Sequence, residues 1–265
     1  MELQTGRLDR GDGIELAYAH LPGRAPTVVF LPGFMSDMTG DKAFALQAFC
    51  AASGQACLRL DYAGHGASGG RFEDGTIGTW TTDALCLVDH LAPGKILVIG
   101  SSMGGWIALN AALARPGRVT GLIGIAAAPD FTEDLMWESM APPERATLAR
   151  DGLLRVPSEY GGDQIITRAL IVDGRTRLLL RAPIAIDCPV RLLHGQRDQS
   201  VPWETSLRLA ARLTSTDVQV ILLKDGDHRL SRPTDIALLT RTLASLLGEY
   251  GREPLPITGI TPGNP

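Results

Sequence analysis

A serine, a histidine and an aspartate, each placed just after an apolar run, carry the chemistry legible in this chain. Ser102 stands in Gly100-Ser101-Ser102-Met103-Gly104, the pattern G-x-S-x-G. Glycines two residues before and after the serine leave room for a backbone that quits a strand, turns sharply and enters a helix, lifting the hydroxyl toward solvent. A serine hydroxyl is a weak nucleophile unaided, so the pattern has meaning only beside a base and a set of oxyanion donors. An ordinary tight turn with Ser102 as a helix N-cap is the competing reading. Context favours the nucleophile. Ile96-Leu97-Val98-Ile99 precedes it as a buried strand, and an Ala- and Leu-rich run over 105–114 follows, ending at Arg115-Pro116-Gly117. Ser101 is the rival hydroxyl, but its neighbours two residues away are Ile99 and Met103.

Histidine is the usual base for a serine because its pKa lies near neutrality. Of the five histidines, His20 and His90 fall at a strand edge and a helix end, and His65 and His194 in glycine-bearing loops after strands. His228, in Lys224-Asp225-Gly226-Asp227-His228-Arg229, stands after the last strand and before the last helix, the place that the chain order serine, acid, histidine requires. For the acid, Asp198 follows the strand at 190–194 and precedes a helix, whereas Asp187 lies at the wrong end of that strand. Asp225 and Asp227 are too near His228 in sequence to approach its ring from the far side. Asp198 is therefore the expected acid, against the reading of a solvated loop carboxylate. One oxyanion donor is expected from the amide of Met103, the residue after the nucleophile, and a second from Phe34, where Leu31-Pro32-Gly33-Phe34 turns tightly after a strand. Gly33 as a plain turn residue is the alternative. Asp61-Tyr62-Ala63-Gly64-His65-Gly66-Ala67-Ser68 has too few ligands for a metal and lacks phosphate-loop spacing, so structural support of the active-site loops is expected of it. Neither a metal nor a cofactor is called for.

These residues need a frame, and the chain supplies a βα rhythm. Strands are expected over 15–21, 27–31, 56–60, 95–99, 119–125, 190–194 and 218–223, with helices over 41–53, about 79–90, 204–212 and 231–249. That alternation predicts an α/β fold, a mostly parallel twisted sheet with helices on both faces. Residues 129–186 break the rhythm with Pro142-Pro143-Glu144, a helical 145–150 and a helical-looking stretch from Gln164, and are read as a helical cap over the site rather than a stabilising appendage. The core is then 1–128 with 187–250, and 251–265 is a tail rich in helix breakers. Most of the four tryptophans are expected in the core, but Trp137 in the cap is a candidate for the wall of an acyl pocket. A length of 265 residues with 45% hydrophobic content suits one domain. The net charge of −4 is interspersed, which argues against a nucleic-acid partner, and no stretch approaches a membrane span. Cys50, Cys57, Cys86 and Cys188 lack C-x-x-C spacing and read as free thiols in a reducing compartment. Residues 1–10 resemble neither a secretory signal nor an Arg-rich presequence, so the expected location is the cytoplasm.

With G-S-S-M-G, L-P-G-F, D-Y-A-G-H-G-A-S, H-G-Q-R-D and D-G-D-H in this order, the chain resembles the serine α/β-hydrolase superfamily. Within it, L-P-G-F-M-S-D-M-T-G-D-K-A (31–43), G-S-S-M-G-G-W (100–106), A-R-P (114–116), C-P-V-R-L-L-H-G (188–195), V-P-W (201–203) and S-T-D-V (215–218) resemble the mitochondrial abhydrolase-domain acyl-protein thioesterases and acyl-glucuronide esterases, with their bacterial relatives. The likeness spans about 26–245 and is weakest over 129–186. It implies an α/β-hydrolase fold with Ser102, Asp198 and His228 as triad, and hydrolysis of S-palmitoyl cysteine or of other acyl thioesters and esters through an acyl-enzyme. Partners are then a small-molecule or acylated-protein substrate, with no oligomeric state specified. The alternatives are a carboxylesterase or acyl-glucuronide esterase on small-molecule esters, and a non-catalytic receptor or scaffold on the same fold.

Overall fold

The computed structural model describes residues 2–157 and 163–250; the expected tail at 251–265 lies outside the described residues. In chain order the elements are β1 (Gln4–Asp9), β2 (Glu15–Leu21), β3 (Arg24–Leu31), α1 (Asp41–Ser53), β4 (Gln55–Leu60), α2 (Ile77–Leu91), β5 (Ile96–Ser101), α3 (Met103–Ala114) and β6 (Val119–Ile125). There follow a π-helical turn over Thr132–Trp137, α4 (Pro142–Asp151), β7 (Leu153–Pro157), β8 (Asp163–Thr167) and α5 (Arg168–Arg175). The chain then returns to the sheet through β9 (Val190–Gly195), α6 (Glu204–Arg212), β10 (Val218–Leu223) and α7 (Pro233–Glu249).

The main sheet has eight strands in the order β1-β2-β4-β3-β5-β6-β9-β10. Only β2 runs against its neighbours; from β4 to β10 every pairing is parallel. The period-two geometry of a strand sends alternate side chains to opposite faces, and both faces here are apolar. Val28, Phe30, Leu97, Ile99, Ile123 and Ile125 pack with Leu46 of α1 and Leu239, Leu243 and Leu246 of α7. Val29, Leu31, Ile96, Val98, Leu122 and Leu192 pack with Trp80 of α2, Trp106 of α3 and Leu209 of α6. The order reverses around β3, which lies between β4 and β5. Such a reversal opens a crevice at the carboxyl ends of the parallel strands, where loops can converge on a ligand.

Two expectations about elements need correction. The edge strand β1, with Leu8 as its one large apolar side chain, was outside the expected elements; it pairs antiparallel with β2 from Gln4 opposite His20 to Asp9 opposite Glu15. The stretch from Gln164 begins as a strand, because β7 and β8 form an antiparallel hairpin pairing Leu153 with Thr167 and Pro157 with Asp163. The Thr167 hydroxyl accepts from the Leu170 amide at 3.0 Å and so caps α5, which fixes the helix start at Arg168. Residues 129–186 therefore hold a hairpin as well as helices, and among the described residues they add no strand to the main sheet.

This segment is tied down at both ends and in the middle. Asp130, with a fully buried side chain, accepts from the amides of Leu179 and Leu180 at 2.7 and 2.9 Å and pairs with Arg181 at 3.2 Å. Asp173 of α5 accepts from the Gly78 amide at 2.8 Å, satisfying a first-turn donor of α2 that α2 itself leaves without a partner.

Candidate active site

Ser102 occupies the turn between β5 and α3 at φ 54° and ψ −119°, a strained conformation for a residue with a side chain. The turn exists because three glycines surround it. A Cβ on Gly100 would stand 2.2 Å from the Gly104 carbonyl oxygen, one on Gly104 2.1 Å from that of Leu31, and one on Gly105 2.5 Å from the Ala127 Cβ. The main chain is anchored by Ser102 N–H donating to the Ile125 carbonyl at 2.9 Å, while the Ser102 carbonyl accepts from Gly105 and Ala128 at 2.9 and 3.1 Å. Although Ser102 precedes the first residue of α3, its side chain makes no capping hydrogen bond. The hydroxyl lies instead 3.1 Å from Nε2 of His228. That contact removes the N-cap reading.

His228 and Asp198 come from the loops after β10 and β9, which are neighbouring parallel strands. Those loops touch through glycine: a Cβ on Gly195 would lie 2.2 Å from the Gly226 carbonyl oxygen, which also accepts from the Arg197 amide at 2.9 Å. The result is a 2.7 Å hydrogen bond between His228 Nδ1 and Asp198 Oδ2. A carboxylate oxygen only accepts, so Nδ1 carries the proton and Nε2 is left to accept from the Ser102 hydroxyl. Asp198 is fully buried in its side chain, His228 partly exposed. Burial by itself would push the Asp198 carboxyl up, but donors from His194 and His228, the His228 charge and the Val201 amide outweigh it and hold the carboxyl well below the usual range. A hydroxyl, an imidazole and a buried carboxylate in one hydrogen-bonded chain can pass the hydroxyl proton to the ring as the oxygen attacks an electrophile.

The two expected oxyanion donors sit on the same edge. Met103 is the first residue of α3, and a first-turn amide has no acceptor within its own helix. Phe34 follows β3, whose Leu31 is in register with Gly100 of β5, and a Cβ on Gly33 would lie 3.4 Å from the Ser102 Cβ. The Phe34 ring is fixed edge-to-face against Phe72, Trp80 and Phe131 at 5.1, 6.0 and 5.8 Å between centroids. Its amide is thus carried on a loop that its own side chain locks in place. The loop is also braced by the segment at 61–68. Asp61 accepts from the amides of Met38 and Ala67 at 2.7 and 2.9 Å, and Ser68 donates its hydroxyl to the Asp61 carbonyl at 2.8 Å.

The remaining candidates fall elsewhere. Asp225 pairs with Arg232, Asp227 accepts from the Leu230 amide, and Asp187 accepts from Thr214. Guanidinium groups of Arg145 and Arg175 stand 4.8 and 4.5 Å from the Trp137 ring, so that ring is engaged by cations of its own segment. A cavity of about 640 Å³ opens between residues 129–181 and α6, but neither Ser102 nor His228 lines it. The residue that sequence reasoning passed over is His194. It lies in β9, wholly buried, 3.1 Å from Asp198 Oδ2. A histidine buried near the end of a strand needs hydrogen-bond partners, and that requirement was the available signal.

A family profile described as alpha/beta hydrolase fold matches residues 26–152. The human palmitoyl-protein thioesterase ABHD10, named mitochondrial, is 42% identical over 242 residues, covering 91% of this chain and 79% of that protein. A putative hydrolase from Agrobacterium vitis superposes with a TM-score of 0.89 at 40% identity, over 93% of this chain and 99% of its own. Mouse alpha/beta hydrolase domain-containing protein 10 superposes with a TM-score of 0.86, also at 40% identity, over 93% and 99% of the two chains. These findings overturn the expected cytoplasmic location, since the mammalian relatives are named mitochondrial. The physical reason is that residues 4–9 of the stretch read for targeting belong to β1, a strand of the folded sheet, and report packing rather than an address. Among the described residues no helix is long and apolar enough to cross a membrane. In sheet order, in the glycine-walled turn at Ser102 and in likeness over nine-tenths of its length, the chain belongs to the α/β-hydrolase family and is a hydrolase.

Proposed function

We propose that this hydrolase cleaves acyl thioesters and carboxylic esters, in the manner of a palmitoyl-protein thioesterase, by a serine acyl-enzyme route. The observation that carries the reading is the Ser102 hydroxyl, free of any capping bond and 3.1 Å from an imidazole whose other nitrogen is 2.7 Å from a buried carboxylate. His228 accepts the Ser102 proton as Oγ attacks the acyl carbonyl carbon. The carbonyl π electrons move to oxygen, where the Met103 and Phe34 amides donate to the oxyanion. Asp198 keeps the ring oriented and stabilises the imidazolium without taking its proton. As the tetrahedral intermediate collapses, His228 returns the proton to the leaving thiol or alcohol, and Ser102 holds the acyl group. Water, deprotonated by His228, then releases the acid and restores the serine. The thioester preference rests on likeness to the relatives named palmitoyl-protein thioesterase.

Steady-state rates over acyl chains of rising length, each offered as thioester and as oxygen ester, test the reading. It predicts turnover that depends on chain length and falls by about 10⁴-fold or more in Ser102→Ala. Turnover that survives in folded Ser102→Ala contradicts it.

A further inference from the structure

We infer that His194 is a positioning residue for the acid: it grips the Asp198 carboxylate and the turn behind it so that one lone pair of Oδ2 stays aimed at His228. The inference rests on the roles proposed above for Ser102, His228 and Asp198. His194 Nε2 lies 3.1 Å from Asp198 Oδ2 and 3.1 Å from the Val201 carbonyl oxygen. Both are acceptors, so Nε2 carries the proton and shares it between them. Nδ1 then presents a lone pair, and the Ser206 hydroxyl stands 2.7 Å away to donate to it. Ser206 is buried in the first turn of α6, so the helix holds the far side of the ring in place. The same turn holds the other carboxylate oxygen: Oδ1 accepts from the amides of Ser200 and Val201 at 2.9 and 2.8 Å. Val201 therefore donates to Asp198 through its amide and accepts from His194 through its carbonyl, which closes a ring of hydrogen bonds around the acid. With Oδ1 fixed by two amides and Oδ2 by His194, the carboxylate plane cannot rotate. His228 then meets an already oriented partner when it becomes an imidazolium, and no reorganisation is spent at that moment.

The test is the kinetics of His194→Phe, which keeps bulk and loses the donor, beside His194→Gln, which keeps an N–H at a similar reach. Active sites are counted with a fluorophosphonate so that rates refer to competent molecules. For His194→Phe, kcat per site is expected to fall about ten- to hundredfold with KM changed by less than about threefold, the scale of one hydrogen bond to a charged group. His194→Gln is expected to regain most of the loss. Unchanged kcat in folded His194→Phe would overturn the inference. Should that variant not fold, nitrogen-15 spectra of the wild-type imidazoles decide: an Nε2–H tautomer at neutral pH supports it, and an Nδ1–H tautomer overturns it. Near wild-type turnover in Asp198→Asn would instead bring down the assignment of the acid itself.

Discussion

Asp198 holds hydrogen bonds from two amides and two imidazoles on its two oxygens, and those donors decide how its charge behaves. Each donor stabilises the carboxylate and none stabilises the acid form, so the folded protein keeps the group ionised far below the range of a free aspartate. The sign for stability follows from linkage. A carboxyl whose folded pKa is depressed contributes stability that is fully present above the unfolded value, near 4, and is lost as pH falls through the folded value. Denaturant unfolding at a series of pH values is therefore expected to show wild type losing more stability than Asp198→Asn below about pH 4. Parallel curves for the two proteins would mean that the donors do not hold the charge. The same variant is expected to lower kcat on the order of 10⁴-fold, because an Asn amide cannot fix the ring tautomer or stabilise an imidazolium. That Ser102, His228 and Asp198 meet was legible because each follows a strand-like run in a fixed chain order. His194 was not, since nothing in H-G-Q-R-D says that its ring turns back onto the aspartate four residues later.

At the scale of elements, the segment from Asp130 to Arg181 is clasped rather than loosely attached. Asp130 joins its two ends through the Leu179 and Leu180 amides, and Asp173 joins its middle to the first turn of α2. Burial pushes the Asp130 carboxyl up, and the two amides and Arg181 pull against that. In Asp130→Asn one acceptor becomes a donor, which leaves an amide without its partner. The expected cost is about 1–3 kcal/mol of stability. Hydrogen exchange is expected to speed at the Leu179 and Leu180 amides while β5 and β6 keep their protection; unchanged exchange at both amides would remove Asp130 from this role. The central strands β3, β5 and β6 were readable as apolar runs covered on both faces, whereas the polar edge strand β1 was not. The hairpin of β7 and β8 was not: its strands are five residues each, half-buried, and Gln164-Ile165-Ile166 leads without a glycine or proline into α5. Only the hydroxyl of Thr167, turned onto Leu170, marks where strand ends and helix begins.

For the whole molecule, sheet topology converts residues far apart in sequence into one site. Ser102, Phe34, Asp198 and His228 follow β5, β3, β9 and β10, all running the same way, so their loops meet at one edge. The α/β class and the family were readable from the βα alternation and the elbow, because both follow from local patterns that the fold repeats. The compartment was not, because folded residues near a chain's beginning answer to the sheet they join. The central claim, that Ser102 is the group acylated during turnover, is tested most directly by trapping the covalent intermediate. The protein is mixed with a slowly released acyl thioester, quenched in acid, digested and read by mass spectrometry. The predicted result is one acyl group on the peptide containing Ser102, absent when Ser102→Ala is treated alike. Turnover with no acylated peptide, or with the acyl group on a different residue, would contradict the account.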